Sequence, residues 1–311
     1  TGYNFDGFAR AATKVMVDID NAELHKINVR PDVAVCADAR EFIGLLLKNR
    51  DRIVSKDRTE WFAYGDRMKA KYPIVQPAYR EEKEPANTYV LLDHLTEQMT
   101  EEDLYVAGSS GSCIDISMQT FRVKKGQRVF TTKGLASMGY GLPSTIGACL
   151  ASGGKRTVCV NGDGGFQMNI QELQTLKRLG LPIKIFVLGN GGYGAIYGTQ
   201  TNLFAGHLVA CNEQSDLTMP DTASVAQAYG LRTVRIRNNR EIEAGVRETL
   251  AGNDPVICDV RVPIDLKVFP KQISYKRSDG QMESLPLEYM NPMLEEDEFL
   301  ENMLIPLYEK K

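Results

Sequence analysis

The sequence predicts an α/β protein: a doubly wound parallel sheet with helices on both faces, preceded by a partial α/β domain. Two observations indicate this class. From Thr88 onward, short apolar segments alternate with amphipathic segments of helical period, and glycine-rich turns follow several of the apolar segments. The chain has 311 residues, of which 43% are hydrophobic, so it is long enough for two domains of ordinary size. In sheets of this kind, ligands bind at the carboxyl ends of the strands.

Residues 1–53 contain two predicted strands, at 14–20 and 32–36, followed by an amphipathic helix at 39–48. Two βα units cannot close a sheet alone. We therefore expect this segment to be the end of a larger α/β fold. Its residues Val17-Asp18-Ile19-Asp20 followed by Ala22-Glu23-Leu24 resemble the carboxyl-terminal part of the central α/β domain of the acetolactate synthase family.

Residues 54–86 are predicted to form a linker, because charged residues and prolines dominate them, with one helix at 59–70. Residues 87–262 are predicted to be the main sheet domain. Its helices are expected at 88–99, 114–121, 138–150, 168–179, 222–229 and 240–250, and its strands at 104–107, 129–131, 157–160, 183–188, 233–236 and 255–260. Residues 263–311 are rich in proline and acidic residues and are predicted to be a carboxyl-terminal extension.

A glycine-rich turn, Gly162-Asp163-Gly164-Gly165, follows one predicted buried strand, and Asn190 follows the next. The glycines let the backbone approach an anion at the start of a helix, and Asp163 supplies a carboxylate. Magnesium takes about six oxygen ligands, several of them from phosphate and water. The pattern predicts a site for a magnesium-bound diphosphate. An ordinary βα turn beside a strand-end amide is the alternative.

This pattern resembles the cofactor motif of thiamine-diphosphate enzymes, which is Gly-Asp-Gly followed after a fixed interval by Asn-Asn. Here Gly189 replaces the first Asn of the second half. The resemblance implies that the ligands of Mg²⁺ are Asp163, the Asn190 side chain and the Gly192 carbonyl. The implied cofactor-binding residues around this motif are Gly162, Asp163, Gly164, Gly165, Asn190, Gly192, Tyr193 and Gly194.

A second segment, residues 134–148, resembles the part of the acetolactate synthase group that holds the aminopyrimidine ring and bends the cofactor. Met138 occupies the position of the apolar side chain that wedges between the two rings and serves catalysis. The resemblance assigns the Ala136 carbonyl as acceptor of a hydrogen bond from the pyrimidine amino group. Met138 could also be a core residue, since an unbranched thioether fills irregular gaps.

A serine-rich loop, residues 108–112, follows a predicted strand and opens a helix. Ser110 and Ser112 are candidates to hold diphosphate oxygens, and the family has diphosphate contacts in this region. The alternative is that a serine simply caps the helix.

The resemblance implies the binding portion of an acetolactate synthase-like carboligase that acts on pyruvate or another 2-oxo acid. A 2-oxo-acid decarboxylase and a non-catalytic interaction module that retains the fold are the alternatives. The family also needs an activating glutamate on a pyrimidine-binding domain. We expect this domain in a missing amino-terminal portion or in another chain, so this chain alone is expected to be inactive. A homodimer or homotetramer is expected.

Composition excludes several other classes of function. Lys+Arg number 37 against 40 for Asp+Glu, and no dense basic run occurs, so nucleic acid is not an expected partner. No apolar stretch approaches the roughly 18 residues of a membrane span, and no secretory signal is recognisable, so a cytoplasmic protein is expected. The six cysteines lie far apart, which favours reduced thiols over a zinc site or disulfides.

Overall fold

The structure, a computed structural model, describes residues 2–26, 28–108 and 111–309, without the side chain of Ser112. The chain divides into two compact units. The first consists of the residues up to Tyr64 together with those from Phe269 onward, and the second is Gly65–Val268. The domain boundaries expected at residues 53, 86 and 262 stay a prediction.

The helices and strands are named in chain order. The α-helices are α1 (Asn21–Leu24), α2 (Ala39–Lys48), α3 (Thr59–Lys71), α4 (Pro77–Glu81), α5 (Thr88–Gln98), α6 (Ser112–Thr120), α7 (Gly141–Ala151), α8 (Asp163–Gln167), α9 (Glu172–Leu179), α10 (Gly194–Leu203), α11 (Thr222–Ala228), α12 (Asn239–Leu250) and α13 (Glu296–Asn302). The strands are β1 (Val15–Asp18), β2 (Val33–Cys36), β3 (Leu104–Ala107), β4 (Arg128–Phe130), β5 (Thr157–Gly162), β6 (Ile183–Gly189), β7 (Arg232–Ile236), β8 (Val256–Arg261), β9 (Lys271–Gln272), β10 (Ser274–Lys276), β11 (Met282–Ser284) and β12 (Met290–Asn291).

The Gly65–Val268 unit is built on a six-stranded sheet in the order β4-β3-β5-β6-β8-β7, with every neighbouring pair parallel. Strands β3, β5 and β6 are almost entirely buried, as expected for parallel strands covered on both faces. From β3 the chain moves outward to β4, then crosses to the other side of β3 to form β5. The strand order therefore reverses between β3 and β5, which places a binding crevice outside their carboxyl ends.

Helices cover both faces of this sheet. Side chains alternate between the faces along a strand, so that Val158 and Val160 of β5 join one core cluster and Cys159 joins the other. The first cluster packs the sheet against α5, α6 and α12, and the second packs it against α7, α8, α9 and α11. The predicted fold class, a doubly wound parallel sheet, is confirmed.

The other unit contains a parallel pair of strands, β1 with β2, and two antiparallel pairs, β10 with β11 and β12 with β9. Aspartates cap two of its helices: Asp20 accepts a hydrogen bond from the Ala22 amide of α1, and Asp38 accepts one from the Arg40 amide of α2. Helix α2 carries an apolar face, yet none of its residues is buried.

Two predicted helices differ from those observed. The helix expected at 168–179 begins only at Glu172, as α9, because residues 168–171 form a turn after the separate short helix α8. Asn169 lies in this turn, and its Nδ2 donates to the Gly139 carbonyl at 2.9 Å. The helix expected from residue 138 begins at Gly141. Helix α10 has no counterpart in the prediction.

Candidate functional site

The candidate site lies at the carboxyl ends of β3, β5 and β6, beside the point where the strand order reverses. The turn after β5 begins at Asp163, and the loop after β6 begins at Asn190. The register pairs Gly162 with Leu188, so these two loops leave neighbouring strands at the same level of the sheet. The sequence motif is thus brought together by two adjacent strands.

Asp163 connects these two loops through its carboxylate. Its Oδ1 accepts a hydrogen bond from the Gly164 amide at 2.8 Å. Its Oδ2 accepts from the Asn190 amide at 3.1 Å and from the Gly191 amide at 2.8 Å. Because the side chain reaches across from β5 to the loop after β6, it fixes the spacing between them.

The Asp163 carboxylate is buried, with 4% of the residue exposed. Burial raises the pKa of this carboxyl, although the backbone N–H groups of Gly191, Gly164 and Asn190 oppose the shift. Among the ion pairs of the described residues, none includes Asp163. A buried carboxylate without a cationic partner is costly, so a bound cation would stabilise this arrangement.

Asn190 and Gly192 shape the loop after β6. The Asn190 Oδ1 accepts from the Gly192 amide at 3.0 Å, and its second lone pair remains for a ligand. Gly192 lies against the backbone of Cys211: a β-carbon there would be only 2.1 Å from the Cys211 carbonyl oxygen. The same oxygen accepts from the Tyr193 amide at 2.8 Å. Only glycine allows this close approach.

Gly164, Tyr193 and Met138 meet at one place. A β-carbon at Gly164 would lie 2.5 Å from Cε1 of Tyr193 and 3.4 Å from Cε of Met138. Met138 is 38% exposed and therefore is not a core residue in this structure. The sulfur-containing side chain and the aromatic ring thus form an apolar wall above the first turn of α8.

The segment that carries Met138 is held in an unusual backbone conformation. Ala136 has a φ of 50°, which is uncommon for a residue other than glycine, and its amide donates to the Thr132 carbonyl at 2.6 Å. At the other end of the segment, the Gly139 carbonyl accepts from Asn169. These two hydrogen bonds hold the segment in place, so that Met138 lies over Gly164.

The remaining predicted residues are distributed as follows. Gly165 lies in the first turn of α8, and Gly162 is the last residue of β5. Gly194 begins α10, and a β-carbon there would lie 2.9 Å from Nδ2 of Asn190. Ser110 falls outside the described residues. Ser112 begins α6, but its side chain also falls outside them.

Several buried polar atoms lack a hydrogen-bond partner within the described part of the chain. Three of them are on segments at the carboxyl edge of the sheet: Oγ1 of Thr131, Nδ2 of Asn161 and Nε2 of Gln167. Buried polar groups are normally satisfied. Their grouping here fits a site for a polar ligand, and the oxygen donors of Asp163 and Asn190 fit a hard cation.

Sequence reasoning missed two residues of the site. Cys211 and Asn161 support the loops through contacts that no local motif reveals. Gln200 of α10 forms hydrogen bonds through both ends of its amide with the Val209 backbone, at 3.1 and 2.9 Å. It therefore holds the loop that follows α10.

Residues 109–260 match the family model described as "Thiamine pyrophosphate enzyme, C-terminal TPP binding domain". This region, which contains the candidate site, is therefore similar to the cofactor-binding domain of the thiamine pyrophosphate enzymes, whose cofactor is usually paired with Mg²⁺. The predicted cofactor class is confirmed.

Within that family, the chain resembles the carboxyl-terminal portion of acetolactate synthases. It is 30% identical over 272 residues to acetolactate synthase 2, chloroplastic, of Zea mays, covering 85% of this chain and 42% of the relative. It is 30% identical over 280 residues to the acetolactate synthase large subunit of Porphyra purpurea, covering 89% of this chain and 46% of the relative. The chain thus spans less than half the length of these relatives.

Two structural findings concern membrane-spanning helices and metal-binding side chains. Within the described ranges, no helix has the length and apolar character needed to cross a membrane. The described residues also contain no cluster of three or more His, Cys, Asp or Glu side chains suited to a metal. Any metal at the candidate site would therefore depend on one carboxylate, amide and carbonyl oxygens, and the oxygens of a ligand. A cytoplasmic location stays a prediction.

Proposed function

We propose that this chain is the diphosphate- and Mg²⁺-binding portion of a thiamine-diphosphate-dependent carboligase that acts on pyruvate or another 2-oxo acid. The observation that carries the proposal is the buried Asp163 carboxylate, which bridges two loops at the point where the strand order reverses. The printed names of the relatives, acetolactate synthases, support the carboligase assignment.

In this proposal three oxygen donors hold the cation: the Asp163 carboxylate, the Asn190 side-chain oxygen and the Gly192 carbonyl. The diphosphate supplies further oxygens to Mg²⁺, as is usual for this ion. The Gly165 amide, in the first turn of α8, is a further candidate to bind the diphosphate because helix N-termini favour anions, whereas the Gly164 amide already donates to Asp163.

When bound, thiamine diphosphate supplies the carbon nucleophile that decarboxylates a 2-oxo acid and joins the remaining fragment to a second carbonyl. The residues of this chain anchor and orient the cofactor. Met138 and Tyr193 form an apolar wall that excludes water from one side of the site. The Ala136 carbonyl, held by the strained backbone of its segment, is the proposed acceptor for the pyrimidine amino group.

We further propose that a pyrimidine-binding domain, from another portion of the protein or from another chain, completes the site. The partial coverage of the relatives supports this, since the chain matches only 42% of one of them and 46% of another. Residues 1–53 would belong to a larger central domain, which the exposed apolar residues of α2 support. These are Ile43, Leu45, Leu46 and Leu47.

Calorimetric titration of the 311-residue chain with thiamine diphosphate tests the binding assignment. Heat of binding is expected in the presence of MgCl₂ and is expected to fall sharply when EDTA removes the metal. Equal binding with and without metal would contradict the proposed Mg²⁺ site.

Product analysis tests the proposed reaction. The chain is joined to a pyrimidine-binding portion and incubated with pyruvate, Mg²⁺ and thiamine diphosphate. A carboligase yields acetolactate, whereas the alternative decarboxylase yields acetaldehyde. If the completed protein binds the cofactor but forms neither product from any 2-oxo acid tested, the non-catalytic module is the better description.

A further inference from the structure

Asn161 is the residue directly before the Gly-Asp-Gly turn, at the carboxyl end of β5. It is 1% exposed. The residues on either side are explained by the sheet and by the proposed cofactor site: Val160 packs in the core, and Gly162 leads into Asp163. A buried amide at this place has no such explanation from the motif.

Two glycines from different elements make room for the Asn161 side chain. A β-carbon at Gly108, just after β3, would lie 2.5 Å from Oδ1 of Asn161. A β-carbon at Gly141, the first residue of α7, would lie 2.6 Å from its Nδ2. The side chain therefore fills a slot between the end of β3 and the start of α7, and any larger residue at either glycine would push it out.

This slot adjoins three segments at the candidate site. Gly108 opens the serine-rich loop, and its amide donates to the Val160 carbonyl at 2.7 Å. Gly141 ends the segment that carries Met138. Asn161 itself is two positions before Asp163. One side chain thus touches the start of one loop and the end of another while its backbone leads into the third.

The chemistry of the side chain is unusual for a packing role. Its Nδ2 has no hydrogen-bond partner among the described residues. A buried, unsatisfied donor destabilises a fold, and leucine, which has the same branching but no polar atom, would avoid that cost. A polar group kept here at the expense of stability points to a purpose other than packing.

We propose that Asn161 is a positioning residue for the cofactor: its amide sets the distance from Gly108 and the Met138 segment to Asp163. This inference rests on the proposed function and goes beyond it, because no sequence motif assigns Asn161 a role. The amide acts by holding Gly108 and Gly141 in place, and its Nδ2, which has no partner among the described residues, is available to a polar group that enters the site with the ligand.

The test compares Asn161→Leu with the parent chain in two measurements. Thermal unfolding without ligand reports stability, and calorimetric titration with thiamine diphosphate and MgCl₂ reports affinity. The leucine variant is expected to melt at the parent temperature or above it, since it removes an unsatisfied donor. Its affinity is expected to fall about tenfold or more. If Asn161 served packing alone, affinity would not fall while the melting temperature stayed at or above that of the parent.

Two further variants secure the interpretation. Asn161→Ala fits the slot without overpacking and is expected to lose affinity as the leucine variant does, so the test stands even if leucine does not fold. Asn87→Ala is the matched control: Asn87 is also buried, but it caps α5 through the Tyr89 and Val90 amides. Loss of this helix cap in Asn87→Ala is expected to lower the melting temperature and to leave the affinity for thiamine diphosphate unchanged.

The outcomes separate the two proposals. If the parent binds and both Asn161 variants bind within twofold of it, the positioning role is wrong while the proposed function stands. If the parent itself shows no Mg²⁺-dependent binding, the proposed function fails and the positioning role fails with it.

Discussion

Gly164 lies in α8 beneath the ring of Tyr193, and its replacement by alanine tests how closely the two residues approach. The added β-carbon would lie 2.5 Å from Cε1 and 2.6 Å from Cδ1 of Tyr193. Carbon atoms in van der Waals contact are about 3.5–4.0 Å apart. The ring must therefore move by roughly 1 Å, away from the wall that it forms with Met138.

Two opposing contributions determine how much Gly164→Ala changes the stability of the protein. Overpacking of a well-filled site costs about 1–3 kcal/mol. Alanine in place of glycine inside a helix returns about 0.5–1 kcal/mol. The midpoints of these ranges, about 2 and about 0.75 kcal/mol, give an expected fall in the free energy of unfolding of about 1 kcal/mol for Gly164→Ala. Displacement of Tyr193 is also expected to weaken thiamine diphosphate binding about tenfold.

Urea denaturation measures the stability change and calorimetry measures the affinity. Gly147→Ala is the matched control, because Gly147 lies on the exposed side of α7 with no atom within 4 Å of its would-be β-carbon. This variant is expected to be about 0.5–1 kcal/mol more stable than the parent. In a Tyr193→Ala background, Gly164→Ala should cost less than it does alone. If Gly164→Ala matches the parent in both measurements, Tyr193 does not lie over Gly164.

Two other variants test the loop after β6 and the opposite end of that strand. In Gly192→Ala the β-carbon would lie 2.1 Å from the Cys211 carbonyl oxygen. Because a backbone atom cannot rotate away as a side chain can, the free energy of unfolding measured by urea denaturation is expected to fall by at least about 2 kcal/mol. A variant as stable as the parent would contradict this contact. Lys184 is buried, its Nζ donates to the Ala251 and Asp254 carbonyls, and burial lowers its pKa to about 8. Between pH 8 and the unfolded pKa near 10.4 the unfolded state binds more protons, so the stability of the parent relative to Lys184→Met should rise with pH over that window. A pH-independent difference would contradict the shifted pKa.

The sheet could be predicted because its sequence signals are local. Strands β3, β5 and β6 are short apolar runs, and glycine or proline marks their ends. The predicted helix at 39–48 has the bounds of α2 because Asp38 caps its start. The close approach of Asp163 to Asn190 could also be anticipated, since the carboxyl ends of neighbouring parallel strands meet at one edge of the sheet.

The rest depends on contacts between distant residues. Helix α10 contains Gly194 and Gly198, which disfavour a helix in isolation. It forms where the Tyr193 amide is bound by the Cys211 carbonyl and where Gln200 holds the Val209 backbone. None of these partners is visible in the local sequence.

The break between α8 and α9 has the same origin. Asn169 in the turn donates to the Gly139 carbonyl, which lies in another segment of the chain. The role of Asn161 likewise depends on two glycines that become its neighbours only when β3 and α7 are in place. Single-sequence patterns predict elements, but contacts of this kind decide where the elements end.

Asp163 is the residue on which the account depends most, and its replacement by alanine is the most direct test. Calorimetric titration with thiamine diphosphate is carried out with and without MgCl₂ for the parent, for Asp163→Ala and for the control Asp103→Asn. Asp103 is also buried but pairs with Arg156, just before the start of β3. We expect Mg²⁺-dependent binding to be retained in the control and lost in Asp163→Ala. Binding of the alanine variant as tight and as Mg²⁺-dependent as that of the parent would contradict the assignment of the site.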